Sequence, residues 1–260
     1  VAMSLASTIP PDTPRLGMAE WEGRNPRLVA PLPGDPARVV DLSAMEAARL
    51  RRLGEGAPEG LAQALVPSEL GALLAAGPRG LVRARQALAY AAKWHRRGDL
   101  PEALAPTRDA VEFLPCLARP RRVFDWEGRR LKVAVAGPGA ILTTHPQPTL
   151  AALGWGGGQP AGFCLALPEP DRLILGAWLT VGPIQEGRLL LRAGGHQRSA
   201  PLDAWAGLGV EALAAGEVVL LPPPRLRRMP ELGVGPVEVA CPWEDLDLRV
   251  EGPLDHPLLQ

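Results

Sequence analysis

The sequence AGFCLALPEPDRLILGAWLTVGPIQEGRLLLRA, residues 161–193, decides the fold class of this chain. It holds apolar runs at 161–167, 177–181 and 188–193, separated by turns rich in glycine, proline and acidic residues. Such short, bounded runs are typical of β-strands. We predict further strands at 131–135, 217–222, 236–240 and 245–251, and one helix between 204 and 215. Strands joined by turns, with little helix between them, favour a mixed β-roll or barrel over a βαβ fold.

The first hundred residues show a different sequence pattern, in which helical periodicity follows a few short strands. Residues 15–42 predict strands joined by turns. Helices are predicted from Ser43 to Gly54, where Glu46 completes a capping box, then over 67–77 and over 78–98. A proline-marked linker follows at 99–110. The sequence therefore predicts an α+β fold with a disordered N-terminus (1–14), a small N-terminal domain of strands and three helices (15–110) and a β-roll domain (111–260).

Composition excludes several classes of function. The chain has 28 basic and 28 acidic residues, a formal net charge of +0, which gives no electrostatic case for binding nucleic acid or an anionic membrane. No apolar run approaches the roughly 20 residues of a membrane helix, and the N-terminal stretch lacks the features of a secretion signal. Cys116, Cys164 and Cys241 are scattered, which favours a reducing compartment over disulfides or zinc. We predict a soluble cytoplasmic protein, with an arginine- and proline-rich composition that suits a thermophile or a GC-rich genome equally.

Local motifs give no independent catalytic signature. The glycine-rich loop at 154–158 lacks the helix and lysine of a phosphate cradle, so it predicts a flexible turn. No GxSxG elbow is present, and the four histidines are isolated in sequence. The acidic pairs Glu169/Asp171 and Glu244/Asp245 stand beside prolines and predict solvated loops.

Several segments, taken in order, resemble proteins of the fumarylacetoacetate hydrolase family. PRLGMAEWEG followed by RVVDLSAM is similar to the opening hairpin, and VEFLPCLARPRRVFDW to the connector that leads into the catalytic domain. GPGAIL, AGFCLALPEPDR, LGAWLTVGPI with RLLLRAGG, LAAGEVVLLPPP and GVGPVEVA follow in the family's order. The resemblance covers nearly the whole chain. It implies a mixed β-roll, usually a homodimer, acting on acylpyruvates and related keto acids with Mg²⁺ or a similar ion held by three carboxylates.

The residues that the resemblance assigns to the metal are missing. Thr149 and Ala151 stand where the family has the two glutamates of its ExE strand, and Pro168 stands at the third ligand. The substrate threonines of the family's TGTP loop are replaced by Leu221, Pro222, Pro223 and Pro224. Glu127 follows the FDW segment, but the histidine of the family's lid does not. The resemblance therefore predicts that the divalent cation has been lost, so that no cofactor remains.

Three functions stay open at this point. The first is a catalytically inactive member of the family, acting as a structural or regulatory subunit, as a homodimer or as a heterodimer with an active relative. The second is a hydrolase, isomerase or decarboxylase acting on a small acylpyruvate-type keto acid through a rebuilt site, with candidates Glu127, His145, Glu169, Asp171 and His196. The third is a small-molecule binding module using a remnant cleft beside Trp155 and Trp178.

Overall fold

The computed structural model describes residues 15–138, 140–142, 149–154, 160–181, 187–193, 196–202, 213–222, 237–241 and 244–250. The chain opens with an antiparallel meander of three strands, as the sequence predicts: β1 (Arg15–Glu20), β2 (Arg27–Leu32) and β3 (Asp35–Asp41). The predicted disordered segment 1–14 and the glycine-rich loop beyond Gly154 lie outside the described residues.

Four helices follow the meander: α1 (Leu42–Arg52), α2 (Pro58–Leu65), α3 (Leu70–Ala75) and α4 (Pro78–Arg96). The prediction for α4 is confirmed, and its apolar stripe is buried at Leu81, Ala84 and Ala91. Helix α3 is shorter than predicted, and α2 was not predicted. No helix among these described residues is long and apolar enough to span a membrane.

The predicted capping box of α1 is wrong. The N-cap is Asp41, two residues before Ser43, and its Oδ1 accepts a hydrogen bond from the Ala44 amide at 2.9 Å. Glu46 pairs instead with Arg49, three residues further on, through contacts of 2.7 and 2.8 Å. Aspartate is as good an N-cap residue as serine. Asp41 is the last residue of β3 and precedes Ser43 in the chain, so the helix begins directly after Asp41.

The described strands form two sheets. The larger sheet contains β1 to β3 and the following nine strands: β4 (Glu112–Leu114), β5 (Arg122–Phe124), β6 (Arg130–Leu131), β7 (Ala134–Ala136), β9 (Thr149–Gly154), β10 (Pro160–Pro168), β11 (Arg172–Leu175), β12 (Trp178–Val181) and β15 (Glu217–Leu220). The smaller sheet contains β8 (Ile141–Leu142), β13 (Gly187–Ala193), β14 (His196–Leu202), β16 (Val237–Cys241) and β17 (Glu244–Val250). Helices and a mixed sheet confirm the α+β class.

The order of the larger sheet joins distant parts of the chain. Its main path runs β3-β2-β1-β12-β10-β9-β15-β5-β6. One edge of β1 is shared, because Arg15 to Gly17 pair with β12 and Met18 to Glu20 pair with β4. Strands from both sides of residue 110 thus share one sheet, while the proposed domain boundary there stays a prediction.

Two local predictions in the second half need correction. The strand predicted at 131–135 is two strands, β6 and β7, which pair with different neighbours. Glu244 and Asp245 lie in β17, paired antiparallel with β16, and not in a loop. The predicted helix between 204 and 215 falls mostly outside the described residues.

The centre of the larger sheet is buried on both faces. Every residue of β9 and seven of the nine residues of β10 are buried, so residues facing either side of the sheet are withdrawn from solvent. Neighbouring residues of a strand point to opposite faces. These two strands are therefore covered on both sides, and the candidate site lies on them.

A buried carboxylate fixes the junction between the meander and the helices. The Asp41 side chain is fully buried, and its Oδ2 lies 3.5 Å from Arg27 Nε without a hydrogen bond to either atom. Burial raises the pKa of Asp41, and the Ala44 amide and the charges of Arg27 and Arg24 only partly oppose this rise. The folded protein consequently holds a proton on Asp41 more tightly than the unfolded chain does.

This pKa shift makes a prediction about the variant Asp41→Asn, which keeps a capping oxygen but does not titrate. Because the folded-state pKa is raised, the stability that protonated Asp41 contributes is present below about pH 4 and is lost as pH rises through the folded-state pKa. We expect the free energy of unfolding of the wild type, minus that of Asp41→Asn, to fall between acid and neutral pH. Urea unfolding of both proteins over a pH series measures this difference. A difference that grows with pH would mean that Asp41 is stabilised as the anion.

Candidate functional site

The three positions assigned to metal ligands by the resemblance lie on one face of the sheet. Strand β9 pairs antiparallel with β10, with Thr149 opposite Ala166 and Ala151 opposite Cys164. Residues directly opposite each other share a face, as do residues two apart on one strand. Thr149 and Ala151 therefore share a face with Pro168, which is two residues beyond Ala166. Sequence order alone could not place these three together, but the register does.

The surroundings of this face are apolar. Thr149 and Ala151 are fully buried, and Ala151 also lies opposite Leu220 of β15. The Thr149 hydroxyl donates a hydrogen bond to the Leu221 carbonyl at 2.6 Å, which satisfies its polarity within the protein. The other residues of this face belong to the main hydrophobic core: Leu153, Cys164, Ala166, Leu173, Leu175, Val218 and Leu220.

These residues do not fit a hard divalent cation. Mg²⁺ and similar ions take about six oxygen ligands, among them carboxylates that offset the cost of dehydration. The face offers one hydroxyl, already engaged with Leu221, together with an alanine and a proline. Across the described part of the chain, no group of three or more His, Cys, Asp or Glu side chains is placed to hold a metal ion.

Glu169 and Asp171 lie in the hairpin turn between β10 and β11, and they differ in environment. Asp171 is exposed, and its carbonyl accepts from the Ala134 amide at 3.1 Å. Glu169 is buried, with its carboxylate in an ion pair with Arg172, so the predicted solvated loop is wrong for this residue. A backbone hydrogen bond also joins the two residues, because the Glu169 amide donates to the Arg172 carbonyl at 2.8 Å. Burial is tolerated because the guanidinium offsets the charge.

Glu127 lies on a different hairpin, between β5 and β6. Its side chain is exposed and 2.9 Å from Arg129 Nη2. The turn is organised by the neighbouring Asp125, whose Oδ1 accepts from the amides of Glu127 (3.0 Å) and Arg129 (2.8 Å). Burial raises the pKa of Asp125, but the hydrogen bonds and charge of Arg129 outweigh it, so the pKa is lowered overall. Asp125 was not singled out from the sequence, although an aspartate before W-E-G is a recognisable turn signal.

The remaining sequence candidates are not assembled with these residues. His145, Trp155, Pro223 and Pro224 lie outside the described residues, and only the backbone of His196 is described, in β14 opposite Ala193. Leu221 is buried and donates its amide to the Leu150 carbonyl at 2.8 Å, whereas Pro222 is exposed. Trp178 is buried against Phe113, with ring centroids 5.1 Å apart, so it contributes to the core.

Two open grooves lie elsewhere, beside the turn that joins β1 to β2. One has a volume of about 580 Å³ and is lined by Gly23, Arg24, Asn25, Pro26, Arg27, Ser68 and Glu69. The other, of about 460 Å³, is lined by Glu20, Trp21, Glu22, Gly23, Arg24, Ala110 and Glu112. Neither groove is evident from the sequence, because the walls of each come from segments far apart in the chain.

Comparison with known proteins gives similarity at the level of structure. No family model and no curated protein sequence matches this chain. A solved structure of Cg1458 with an inhibitor aligns at 10% identity, with a TM-score of 0.49, over 91% of this chain and 98% of that one. A structure of 2-keto-3-deoxyarabinonate dehydratase aligns at 13% identity, with a TM-score of 0.45, over 91% and 98%. A proposed fumarylacetoacetate hydrolase family protein from Yersinia pestis CO92 aligns at 13% identity, with a TM-score of 0.35, over 54% and 95%. At these values the similarities carry no conclusion about activity.

Proposed function

We propose that this chain is a catalytically inactive relative of the fumarylacetoacetate hydrolase family, without a metal cofactor, that serves in the cytoplasm as a structural or regulatory subunit. It would do so as a homodimer or by pairing with an active relative. One observation supports this most: the three positions that the sequence resemblance assigns to metal ligands share one face of the sheet and carry Thr149, Ala151 and Pro168. If substitutions had removed a metal site, the ligand positions would still lie together, but their side chains could no longer bind the ion. This is the arrangement of Thr149, Ala151 and Pro168.

The packing of this face adds support. A site emptied of its carboxylates and left open would expose polar backbone and admit water. Here Thr149, Ala151 and their cross-strand neighbours are fully buried, and the one hydroxyl is satisfied by Leu221. Close packing of apolar groups stabilises a fold, whereas a binding site for a cation costs stability when the cation is absent. The substitutions therefore convert a reactive face into part of the core.

The alternative, an enzyme rebuilt around other acids, has less support. Glu169 is held by Arg172, and Glu127 lies on another hairpin in contact with Arg129. A general base or a metal ligand must bring its carboxylate to the substrate. The Glu169 carboxylate is buried in its ion pair, whereas the exposed Glu127 carboxylate lies on a different hairpin and is not assembled with Glu169. For the small-molecule binding alternative, the groove beside Arg24 and Arg27 is a better candidate site than the buried surroundings of Trp178.

The experiment combines metal binding with activity. Purified protein is heated with and without millimolar Mg²⁺ or Mn²⁺, and assayed on a panel of acylpyruvates with the same ions. We expect no rise in melting temperature and no turnover, because a ligand that binds the native state must stabilise it. A metal-dependent rise accompanied by turnover would overturn the proposal.

The subunit role needs its own measurement. The chain is co-expressed with a tagged relative from the same organism that carries the complete carboxylate set, and the complex is analysed by light scattering. We expect either a stable mixed dimer or a homodimer of this chain alone. A monomer that neither self-associates nor co-purifies with the relative would remove the subunit role.

A further inference from the structure

The hairpin formed by β5 and β6, with the residues that flank it, is strongly basic. Residues 119–132 carry six cations: Arg119, Arg121, Arg122, Arg129, Arg130 and Lys132. Within the same hairpin are the acids Asp125 and Glu127, and Glu217 lies opposite Arg122 on β15. Six cations beside three carboxylates give this basic hairpin a local charge of +3, although the chain as a whole has a formal net charge of +0.

Most of the cations are not used by the fold. Arg122 pairs with Glu217, and Arg129 pairs with Asp125 and Glu127. The other four, Arg119, Arg121, Arg130 and Lys132, are exposed and form no ion pair with any residue that the structure describes. Unpaired cations at one edge of a sheet produce a local positive potential.

The tip of the hairpin presents an aromatic side chain in a fixed position. Trp126 is 43% exposed, one of few large apolar side chains at the described surface. The turn that carries it is held by the two amide hydrogen bonds to Asp125 and by the contact of Arg129 Nε with Asp125 Oδ2 at 2.7 Å. Tryptophan and arginine are the residues most enriched at the energetic centres of protein interfaces, and a rigid support lowers the entropy cost of using them.

The hairpin also ends the larger sheet. Strand β6 is the last strand on the main path, and no described strand pairs with its outer edge. The Asp125 amide donates to the Arg129 carbonyl at 2.9 Å, and Phe124 lies opposite Arg130. Because hydrogen-bonded and non-hydrogen-bonded pairs alternate, Arg130 belongs to a non-hydrogen-bonded pair and turns its own N–H and C=O to the open edge. Lys132 follows immediately after β6, which ends at Leu131, and its side chain is exposed.

We propose that the basic hairpin is a docking site for an extended acidic segment of another protein, which adds to β6 as an antiparallel or parallel strand. Backbone groups of Arg130 supply the pairing, and the exposed side chains of Arg130 and Lys132 supply the positive charges that meet acidic residues of the incoming strand. Trp126 supplies the apolar contact at the tip.

A protein segment fits this surface better than a nucleic acid does. An open strand edge offers amide and carbonyl groups in the spacing of another peptide backbone. The chain's balanced charge also gives no long-range attraction for a polyanion beyond the hairpin itself. The docking site goes beyond the proposed function, since an active enzyme could carry the same surface, and a failed activity test leaves it standing.

The test uses a fluorescent peptide of about ten residues, the length of a long strand, in which glutamate and threonine alternate. We expect saturable binding to the full chain by fluorescence anisotropy, weakened at least about tenfold by the double variant R130E/K132E, because attraction becomes repulsion. The double variant R79E/R85E on α4 changes the net charge equally at exposed positions, and its affinity should stay within about twofold of the wild type. R130S/K132S, which removes the charges without reversing them, gives an intermediate loss.

Two further probes decide the mode of binding and the class of partner. A peptide of the same sequence in which every backbone amide is N-methylated keeps the charges but lacks the amide donors, and it should bind at least about tenfold more weakly if a strand is added in either direction. Equal binding of the N-methylated peptide would overturn strand addition. An oligouridine of about ten nucleotides should bind more weakly than the peptide. Tighter RNA binding that R130E/K132E abolishes would make the hairpin a nucleic-acid surface, and no binding of either probe would mean that the cations only keep the edge from aggregating.

Discussion

Replacing Ala151 by glutamate is expected to destabilise the protein by at least about 4 kcal/mol at neutral pH. The position is fully buried between Cys164 and Leu220, on a face whose described residues carry no cation. A carboxyl there stays neutral by raising its pKa, and protonating a group with a reference pKa of about 4.3 at pH 7 costs about 4 kcal/mol. Fitting the larger side chain into a packed core adds about 1–3 kcal/mol.

The matched control is Ala151→Gln, which has nearly the same shape and no charge. Since the folded-state pKa of the new glutamate is raised, its variant loses stability relative to the glutamine variant as pH rises from about 4 towards 7. Urea unfolding of both variants over this range measures the gap, which should close in acid. Equal stability of the two at neutral pH would show that a positive charge or a metal faces Ala151, contrary to the proposed function.

The triple variant T149E/A151E/P168D restores a carboxylate at each position that the resemblance assigns to the metal. A clear rise in its melting temperature with Mg²⁺, absent from the wild type, would indicate that the register still places these residues as ligands. If the triple variant does not fold, urea unfolding of the two single Ala151 variants still tests whether this face lacks a positive charge or a metal.

Replacing Gly162 by alanine is expected to be the most damaging single-methyl change in the described part of the chain. A Cβ at this position would overlap the Thr180 carbonyl oxygen and lie 3.0 Å from Val181 Cα, both of them backbone atoms. Gly162 lies in β10, between Leu153 of β9 and Val181 of β12, where the register between β10 and β9 shifts. The added methyl must push β12 away from β10, at a cost of at least about 3 kcal/mol.

The control for this prediction is Gly60→Ala in the exposed part of α2, where an added Cβ meets nothing within 4 Å. Alanine is the better helix former, so this variant should gain about 0.5–1 kcal/mol. Chemical unfolding compares both variants with the wild type, and limited proteolysis reports whether β1, which pairs with β12, is released. A Gly162→Ala protein of wild-type stability would mean that the two strands lie further apart than the structure places them.

Local sequence patterns predicted those elements whose signal is contained within the element. The continuous apolar run of β10, the alternating residues of β17 and the long amphipathic stripe of α4 are of this kind. Helix α2 escaped prediction because it is short and contains Gly60, and β11 because its four residues follow a turn directly. Pairing between β1 and β12 could not be predicted, since nothing within either strand specifies a partner so far away in the chain.

The candidate site was predictable only in part. The resemblance supplied Thr149, Ala151 and Pro168 as equivalent positions, and the strand register places them on one face. Burial of Glu169 was not predicted, because a carboxylate between two prolines is usually solvated. The signal that could have found it is Arg172 across the hairpin turn, which supplies the countercharge. Ion pairs such as Arg122 with Glu217 join distant strands and leave no trace in local sequence.

The pairing of β1 with β12 also bears on how the protein is made. Arg15 is synthesised about 165 residues before its partner Thr180. At bacterial or eukaryotic elongation rates, the first strand waits roughly 10–30 seconds with one flank unsatisfied. We expect the nascent meander to need shielding by a chaperone during this interval, or to remain loosely ordered until the later strand arrives.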